Sequence, residues 1–157
     1  MAITTTQAPN LIEGSRVYPI NDHGKLRFMT GLVTQGAAAG DDGSFVEFFR
    51  LPPGRVRVLP WLGRLRCSAL GASRVLKIGH RAYQSQAPGG GVNPVAEDDD
   101  AFASGLNVSA AALVTINTAD LKGDMYSRSG IVVYGTVTGG TIPAAAQLEL
   151  MLPYLYE

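Results

Sequence analysis

Glycine and proline divide this chain into short apolar segments, and this spacing constrains the fold more than any other feature. The 157 residues include 19 glycines and 9 prolines, which favour turns and interrupt regular elements. Between them lie segments of strand length, which predict an all-β fold, a jelly-roll-like sandwich of about eight strands. The predicted strands are Lys25–Thr34, Phe45–Leu51, Arg55–Leu59, Arg64–Leu70, Arg74–Tyr83, Ala112–Thr118, Gly130–Thr138 and Ala146–Tyr156.

The final segment has the clearest strand pattern. Its alternate apolar residues are Leu148, Leu150, Leu152, Tyr154 and Tyr156, the period of two expected of a half-buried strand. Pro153 has no N–H to donate to a neighbour, which predicts that the strand lies at an edge or leaves its sheet there. Just upstream, Gly139-Gly140 predicts a hairpin turn, because adjacent glycines readily adopt positive φ angles.

One short helix is predicted over Pro94–Leu106. Asp98-Asp99-Asp100 would occupy its first turn, where carboxylates meet unpaired N–H groups and the positive end of the helix dipole, and Gly105 would end it. Calcium binding by these aspartates, or by Asp41-Asp42-Gly43, is the alternative. Neither run has the alternating oxygen spacing of a calcium loop, so the sequence favours a helix start and a turn, and we assign no metal.

The chain has the length of one domain, predicted to span residues 16–157. Residues 1–15 show no periodicity that places them in a core, which predicts either a frayed terminus or an extended arm that lies on a neighbouring subunit. No signal-peptide or membrane-span pattern occurs, so we expect synthesis in the cytoplasm and no membrane partner. Charged residues make up only 17% of the chain against about 25% in typical domains, which indicates an exterior that is partly covered in use.

The charges are distributed unevenly although they sum to zero. Residues 1–81 hold 11 basic and 5 acidic residues, a balance of +6, while residues 82–157 hold 2 and 8, a balance of −6. Arg55 with Arg57, and Arg64 with Arg66, each project from one face of a predicted strand. The alternatives are a solvated face that meets acids of the same chain and contact with an acidic patch on a partner. Nucleic acid is disfavoured, because no aromatic platform or recognition helix accompanies the arginines.

Catalysis has little support in the sequence. No nucleophile elbow, phosphate-binding loop or zinc-peptidase motif occurs, and we predict neither an enzyme nor a cofactor. Cys67 alternates with apolar residues and is expected in the core, while His80 is expected to be a surface or hydrogen-bonded histidine. Trp61 lies in a predicted turn, either as a lid over the end of the sandwich or as an interface anchor.

Several segments resemble small virion structural proteins of tailed bacteriophages. Arg50–Leu59, Leu65–Ala72 and Leu76–Tyr83 have this resemblance, and Asp98–Phe102, Leu106–Ala111 and Val137–Ala144 are similar to head decoration, or cement, proteins and capsid accessory proteins. The similarity covers Phe45–Glu157. It implies a jelly-roll-like sandwich and a homodimer or homotrimer on the capsid surface that binds the major capsid protein and stabilises the shell. It implies no catalytic residues.

The predicted partner-binding residues are Arg55, Arg57, Arg64, Arg66, Trp61, Thr4, Thr5 and Thr6. Three other hypotheses remain open. In these hypotheses, the chain is a tail or neck component, a glycan-binding jelly roll that uses Tyr83, Tyr126 and Trp61, or a DNA-binding accessory protein.

Overall fold

The structure, a computed structural model, describes residues 5–7, 26–86, 89–116 and 124–156. These residues form thirteen strands and one short 3₁₀ helix, η1. The elements are β1 (Thr5–Gln7), β2 (Leu26–Thr34), β3 (Phe45–Leu51), β4 (Gly54–Val58), η1 (Pro60–Leu62), β5 (Arg64–Cys67), β6 (Val75–His80), β7 (Tyr83–Ser85), β8 (Asn93–Val95), β9 (Asp98–Asn107), β10 (Ala112–Thr115), β11 (Met125–Ser127), β12 (Ile131–Thr138) and β13 (Gln147–Tyr156). The predicted all-β class is confirmed, and each of the eight predicted segments overlaps a strand.

Two sheets form the sandwich. The five-stranded sheet has the order β1-β3-β12-β6-β9, and its pairs are antiparallel except for β1 with β3. In the six-stranded sheet β13 is central: β2 pairs along one side of it, and β5 and then β4 pair along the other. β10 extends this sheet beyond β5, and β11 extends it beyond β4. β7 and β8 form a separate pair.

The core lies between the two sheets. On the inner face of β13, Leu150 and Leu152 are fully buried, and Leu76 and Ile78 of β6 are fully buried on the other sheet. Gly31 marks a close approach of β2 to β3, because a Cβ at this position would overlap the carbonyl group of Phe48. The packing of the two layers therefore depends on a residue without a side chain at this point.

The alternation predicted for the last strand is confirmed, but its predicted place at a sheet edge is wrong. β13 has neighbours on both sides, and Pro153 lies where the partner on one side changes from β5 to β4. The carbonyl oxygen of Pro153 accepts a hydrogen bond from Leu59 N at 2.9 Å on that side. A residue in an antiparallel strand directs its N–H and C=O to the same side. The N–H that Pro153 lacks would therefore point to the place where the partner changes from β5 to β4.

The predicted helix over Pro94–Leu106 is wrong, because this stretch forms β8 and β9. The aspartates do not cap a helix; Asp99 instead forms an ion pair with Lys77 of β6 at 3.1 Å. Phe102 is fully buried in the core. A local helix-start signal is overridden here by strand pairing and by burial of an aromatic side chain.

The predicted hairpin at Gly139-Gly140 is also wrong. Both glycines have positive φ angles, +84° and +141°, but β12 and β13 lie in different sheets. The segment after the glycines continues to Ile142, which forms an isolated bridge with Gly40. The turn therefore carries the chain from one layer of the sandwich to the other.

Only three residues of the predicted N-terminal arm, residues 1–15, are described. They form β1, which runs parallel to Phe45–Glu47 of β3 at the edge of the five-stranded sheet. The rest of the arm lies outside the described residues, as do Lys25 and residues 117–118 of two predicted strands.

Candidate functional site

The outward face of the six-stranded sheet carries exposed apolar side chains along β2, which pairs only with β13 among the described strands. Leu26, Phe28 and Leu32 alternate along β2 and are 45%, 57% and 42% exposed. In β13, Leu155 lies opposite Leu26, and Met151, four residues earlier on the same face, lies opposite Thr30. We call these five side chains, Leu26, Phe28, Leu32, Met151 and Leu155, the apolar strip.

The four predicted partner-binding arginines lie on this same outward face. Arg64 of β5 and Arg57 of β4 are each directly opposite a member of the apolar strip in β13. Arg66 and Arg55 lie two residues away from them and share their face. The fold therefore brings together two arginine pairs that are separate in sequence and sets them beside the apolar strip.

Arg55 and Arg57 both bind the carboxylate of Asp124. Arg57 Nε lies 2.6 Å from Asp124 Oδ1, and Arg55 Nε lies 2.9 Å from Oδ2. Hydrogen bonds from Arg57 and Arg55 lower the pKa of Asp124 to about 2. These two cations thus face an acid of their own chain.

The second arginine pair is more available to a partner. Arg66 forms an ion pair with Glu149 at 2.7 Å, but its side chain is 65% exposed. Arg64 donates a hydrogen bond to Gly63 O at 3.2 Å, and it forms no ion pair with another described residue. Exposed pairs such as Arg66–Glu149 contribute little to stability, so these guanidinium groups retain their capacity to bind a partner.

The other predicted partner-binding residues lie on different elements. Trp61 is in η1, where it and Leu62 are 42% and 43% exposed, beside the buried Pro60. Thr5 and Thr6 are in β1 of the five-stranded sheet, and Thr4 lies outside the described residues. The seven predicted residues that the structure describes are thus not gathered into one site.

A cavity of about 750 Å³ lies on the outward side of the five-stranded sheet. Residues of β3, β6, β12 and β9 line it together with residues 95–97. The lining residues are Gly43, Phe45, His80, Val95, Ala96, Glu97, Asp98, Asp99, Tyr134 and Thr136. Three of these residues, Glu97, Asp98 and Asp99, are acidic.

Arg81 contacts three of the lining residues, Phe45, Glu97 and Tyr134. Its guanidinium group binds Glu47 and Glu97, each at 3.0 Å. It also lies over the rings of Tyr134 and Phe45, with centroid distances of 4.3 and 4.5 Å, an arrangement that favours a cation. Burial, and then the neighbouring Glu97, raise the pKa of Tyr134 far above its usual value.

Cys67 and His80 do not form a catalytic pair. Cys67, 4% exposed, lies in the core of the six-stranded sheet, with its thiol 3.5 Å from Ala110 O. His80 is at the end of β6 in the other sheet, with Nδ1 3.1 Å from Arg81 O. Among the described residues, no hydrogen bond joins the thiol and the imidazole. Cys67 is thus in the core, as predicted, and the ring of His80 has a hydrogen-bond contact with the backbone.

The aromatic residues of the glycan-binding hypothesis are on three separate elements. Tyr83 of β7 packs edge-on against His80, with ring centroids 5.3 Å apart. Tyr126 of β11 lies under the guanidinium group of Arg55 at 5.7 Å, and Trp61 is in η1. Two of the three rings are thus already in contact with protein groups.

In the described part of the chain, no helix is long and apolar enough to cross a membrane.

Comparison with solved structures finds similar folds in chains of two phage capsids. A chain of the capsid of Ralstonia phage GP4 superposes with a TM-score of 0.71 at 17% identity, covering 98% of each chain. A chain of the cyanophage Pam1 capsid asymmetric unit has a TM-score of 0.54 at 16% identity, covering 92% of this chain and 96% of that one. No family model and no curated protein matches the sequence. At such low identity the likeness concerns the fold.

The sequence did not reveal the apolar strip or the cavity. In β2 the outward Leu26, Phe28 and Leu32 alternate with Met29 and Val33, so both faces of the strand are apolar in sequence. Only the register with β13 shows which set is exposed. The cavity could not be predicted either, because the sequence does not show that β9 pairs with β6.

Proposed function

We propose that this chain is a capsid decoration, or cement, protein, which binds the major capsid shell of a phage as a homo-oligomer and stabilises it. The observation that supports the proposal best is the outward face of the six-stranded sheet, where the apolar strip lies beside the arginines. Monomeric soluble proteins rarely leave such a combined surface uncovered. Both similar structures are chains of phage capsids, which favours the head of the particle over the tail or neck.

The two parts of this face suit different partners. Exposed Leu26, Phe28 and Leu32 fit a second copy of the chain, because subunit interfaces of homo-oligomers are rich in apolar contacts. Arg64 and the exposed Arg66 fit a carboxylate-bearing surface of the major capsid protein, since guanidinium groups bind carboxylates through two hydrogen bonds. The N-terminal arm, residues 1–15, extends the attachment. Many copies of a modest contact then add up over the shell.

Binding to shells that lack the protein tests this proposal. Arg64→Glu should weaken binding to shells of the parent phage's major capsid protein by about tenfold or more, because charge reversal replaces attraction by repulsion. Arg50→Glu is the matched control. Arg50 is an exposed arginine in β3 of the other sheet, and its reversal should leave binding unchanged.

Co-sedimentation with purified shells measures both variants, and light scattering of the unbound proteins checks that their oligomeric state is the same. Shells with the bound wild-type protein should also disrupt at a higher temperature than bare shells. Wild-type protein that fails to co-sediment with its own shells would refute the proposal. Equal binding by Arg64→Glu and Arg50→Glu would refute the role of this face.

A further inference from the structure

The six-stranded sheet ends on one side in β10, which pairs with β5 alone among the described strands. This pairing continues past the end of β10, because Ile116 N donates a hydrogen bond to Gly63 O at 3.2 Å. In an antiparallel pair, residues that bond to the neighbouring strand alternate with residues whose N–H and C=O point away from it. Ile116 and Val114 therefore bond towards β5. Leu113 and Thr115 direct their backbone groups away from it, to the outer edge of the sheet.

The hydrogen bonds on the other side of β5 support this assignment. Ser68 N donates to Gln147 O at 2.9 Å, towards β13. By the same alternation, Cys67 and Leu65 are the residues of β5 that bond to β10. Leu65 lies opposite Val114, in agreement with the direction derived above. The N–H and C=O groups on the outer edge of β10 thus have no hydrogen-bond partner among the described residues.

The side chains of β10 leave this edge accessible. Leu113 is 68% exposed, and Ala112 and Thr115 are exposed as well. Val114 packs against the core, which holds the strand in the sheet. β10 is short, but it contains no proline or charged residue and pairs with β5 without a register shift. It therefore lacks most of the devices that keep an edge strand from pairing with another chain.

The charges beside this edge indicate which kind of strand fits it. Leu113 lies opposite Arg66, and Thr115 lies opposite Arg64, so these side chains share the outward face. A strand added to β10 would lie two strand spacings, about 10 Å, from β5, a distance that an arginine and a glutamate side chain together span. The edge therefore suits a segment with carboxylates on this face, whereas a second copy of β10 would bring only uncharged side chains.

We propose that the outer edge of β10 accepts an extended, acidic segment of the major capsid protein as an additional strand, with its carboxylates on the face of Arg64 and Arg66. This inference rests on the proposed function and specifies the contact in which these two arginines take part. Backbone hydrogen bonds supply the affinity in such an arrangement, and the side chains of the added strand supply the specificity.

Proline substitution tests the edge without breaking the sheet, because the N–H that it removes points outwards. Leu113→Pro should weaken co-sedimentation with shells of the parent phage's major capsid protein by about tenfold or more, since proline has no donor and its ring obstructs an incoming strand. Leu113→Thr keeps the N–H and should bind more tightly than Leu113→Pro. Val92→Pro, at an exposed residue between β7 and β8, is the matched control and should bind as the wild type does.

Hydrogen–deuterium exchange of the wild-type protein is the second measurement. In the free protein, the amides of Leu113 and Thr115 should exchange rapidly, and those of Ala112 and Val114 slowly. On shells, both outward amides should become protected. The melting temperature of each variant checks its folding. If Leu113→Pro does not fold, the protection of the wild-type amides decides.

The outcomes separate this inference from the proposed function. Wild-type protein that does not bind shells would refute the proposed function, and this inference with it. Wild-type protein that binds shells, while Leu113→Pro binds equally well or the outward amides stay unprotected, would overturn the inference alone. Protection of the same amides that rises with the concentration of free protein would also overturn it, because a second copy would then occupy the edge.

Discussion

Asp124 is a single residue whose contribution to stability should depend on pH. Its ordinary pKa of 3.8 falls to about 2 in the folded chain, because Arg57 and Arg55 donate hydrogen bonds to it. A pKa that is lower in the folded state stabilises the fold above the ordinary value, and this stabilisation disappears as the pH falls towards about 2. Asp124→Asn should therefore cost stability at neutral pH and progressively less in acid.

We expect that cost to be at most about 1 kcal/mol, since both arginine side chains are more than one-third exposed and solvent screens the interaction. Urea unfolding of the wild type and the variant at neutral pH and at successively lower pH measures the difference. A difference that stays constant from neutral pH down to the lowest pH at which both proteins fold would contradict this assignment.

At the scale of elements, the bulged pairing of β9 with β6 depends on Gly79. A Cβ on Gly79 would overlap the backbone carbonyl of Asp98, and backbone atoms cannot move away as a flexible side chain does. Gly79→Ala should therefore lower the free energy of unfolding by about 3 kcal/mol, as overpacked sites do.

Gly105→Ala in β9 is the control for this effect. The nearest atom to a Cβ there is Val75 Cγ1 at 3.8 Å, an ordinary contact, so the change should stay within about 0.5 kcal/mol of the wild type. Chemical denaturation of both variants makes the comparison. Equal stability of the two variants would show that β9 does not approach β6 as closely as described.

At the scale of the whole molecule, the apolar strip predicts self-association. The melting temperature should rise with protein concentration over an about 100-fold range, because an oligomer that binds only native subunits stabilises them by mass action. Phe28→Asp with Leu32→Asp should remove this dependence and give a monomer by light scattering. Val92→Asp, at another exposed aliphatic residue, should keep both properties. A wild-type chain that is monomeric and melts at a constant temperature would contradict the prediction.

Short-range patterns in the sequence predicted much of the fold. The inward row of Leu148, Leu150 and Leu152 follows from a period of two, and this period reflects the geometry of a strand with one buried face whatever its neighbours are. Cys67 was placed in the core by the same alternation. Each arginine pair was likewise assigned correctly to one face of its own strand.

Long-range pairing accounts for what sequence reasoning missed. The glycines at 139 and 140 have the predicted positive φ angles, yet the strands on either side join different sheets. The acidic run at Asp98 has the composition of a helix start, and its environment is set instead by β6, some twenty residues earlier in the chain.

The amino-acid sequence by itself determined that the chain is all-β and which residues of most strands share a face, because steric preference and burial act on residues that are close along the chain. Only the tertiary structure decided which strands are neighbours and in which register. That choice sets the apolar strip beside the arginines and brings Asp98, Asp99 and Thr136 to one cavity. The physical reason is that these contacts join residues distant in sequence, and their geometry depends on the packing of both sheets together.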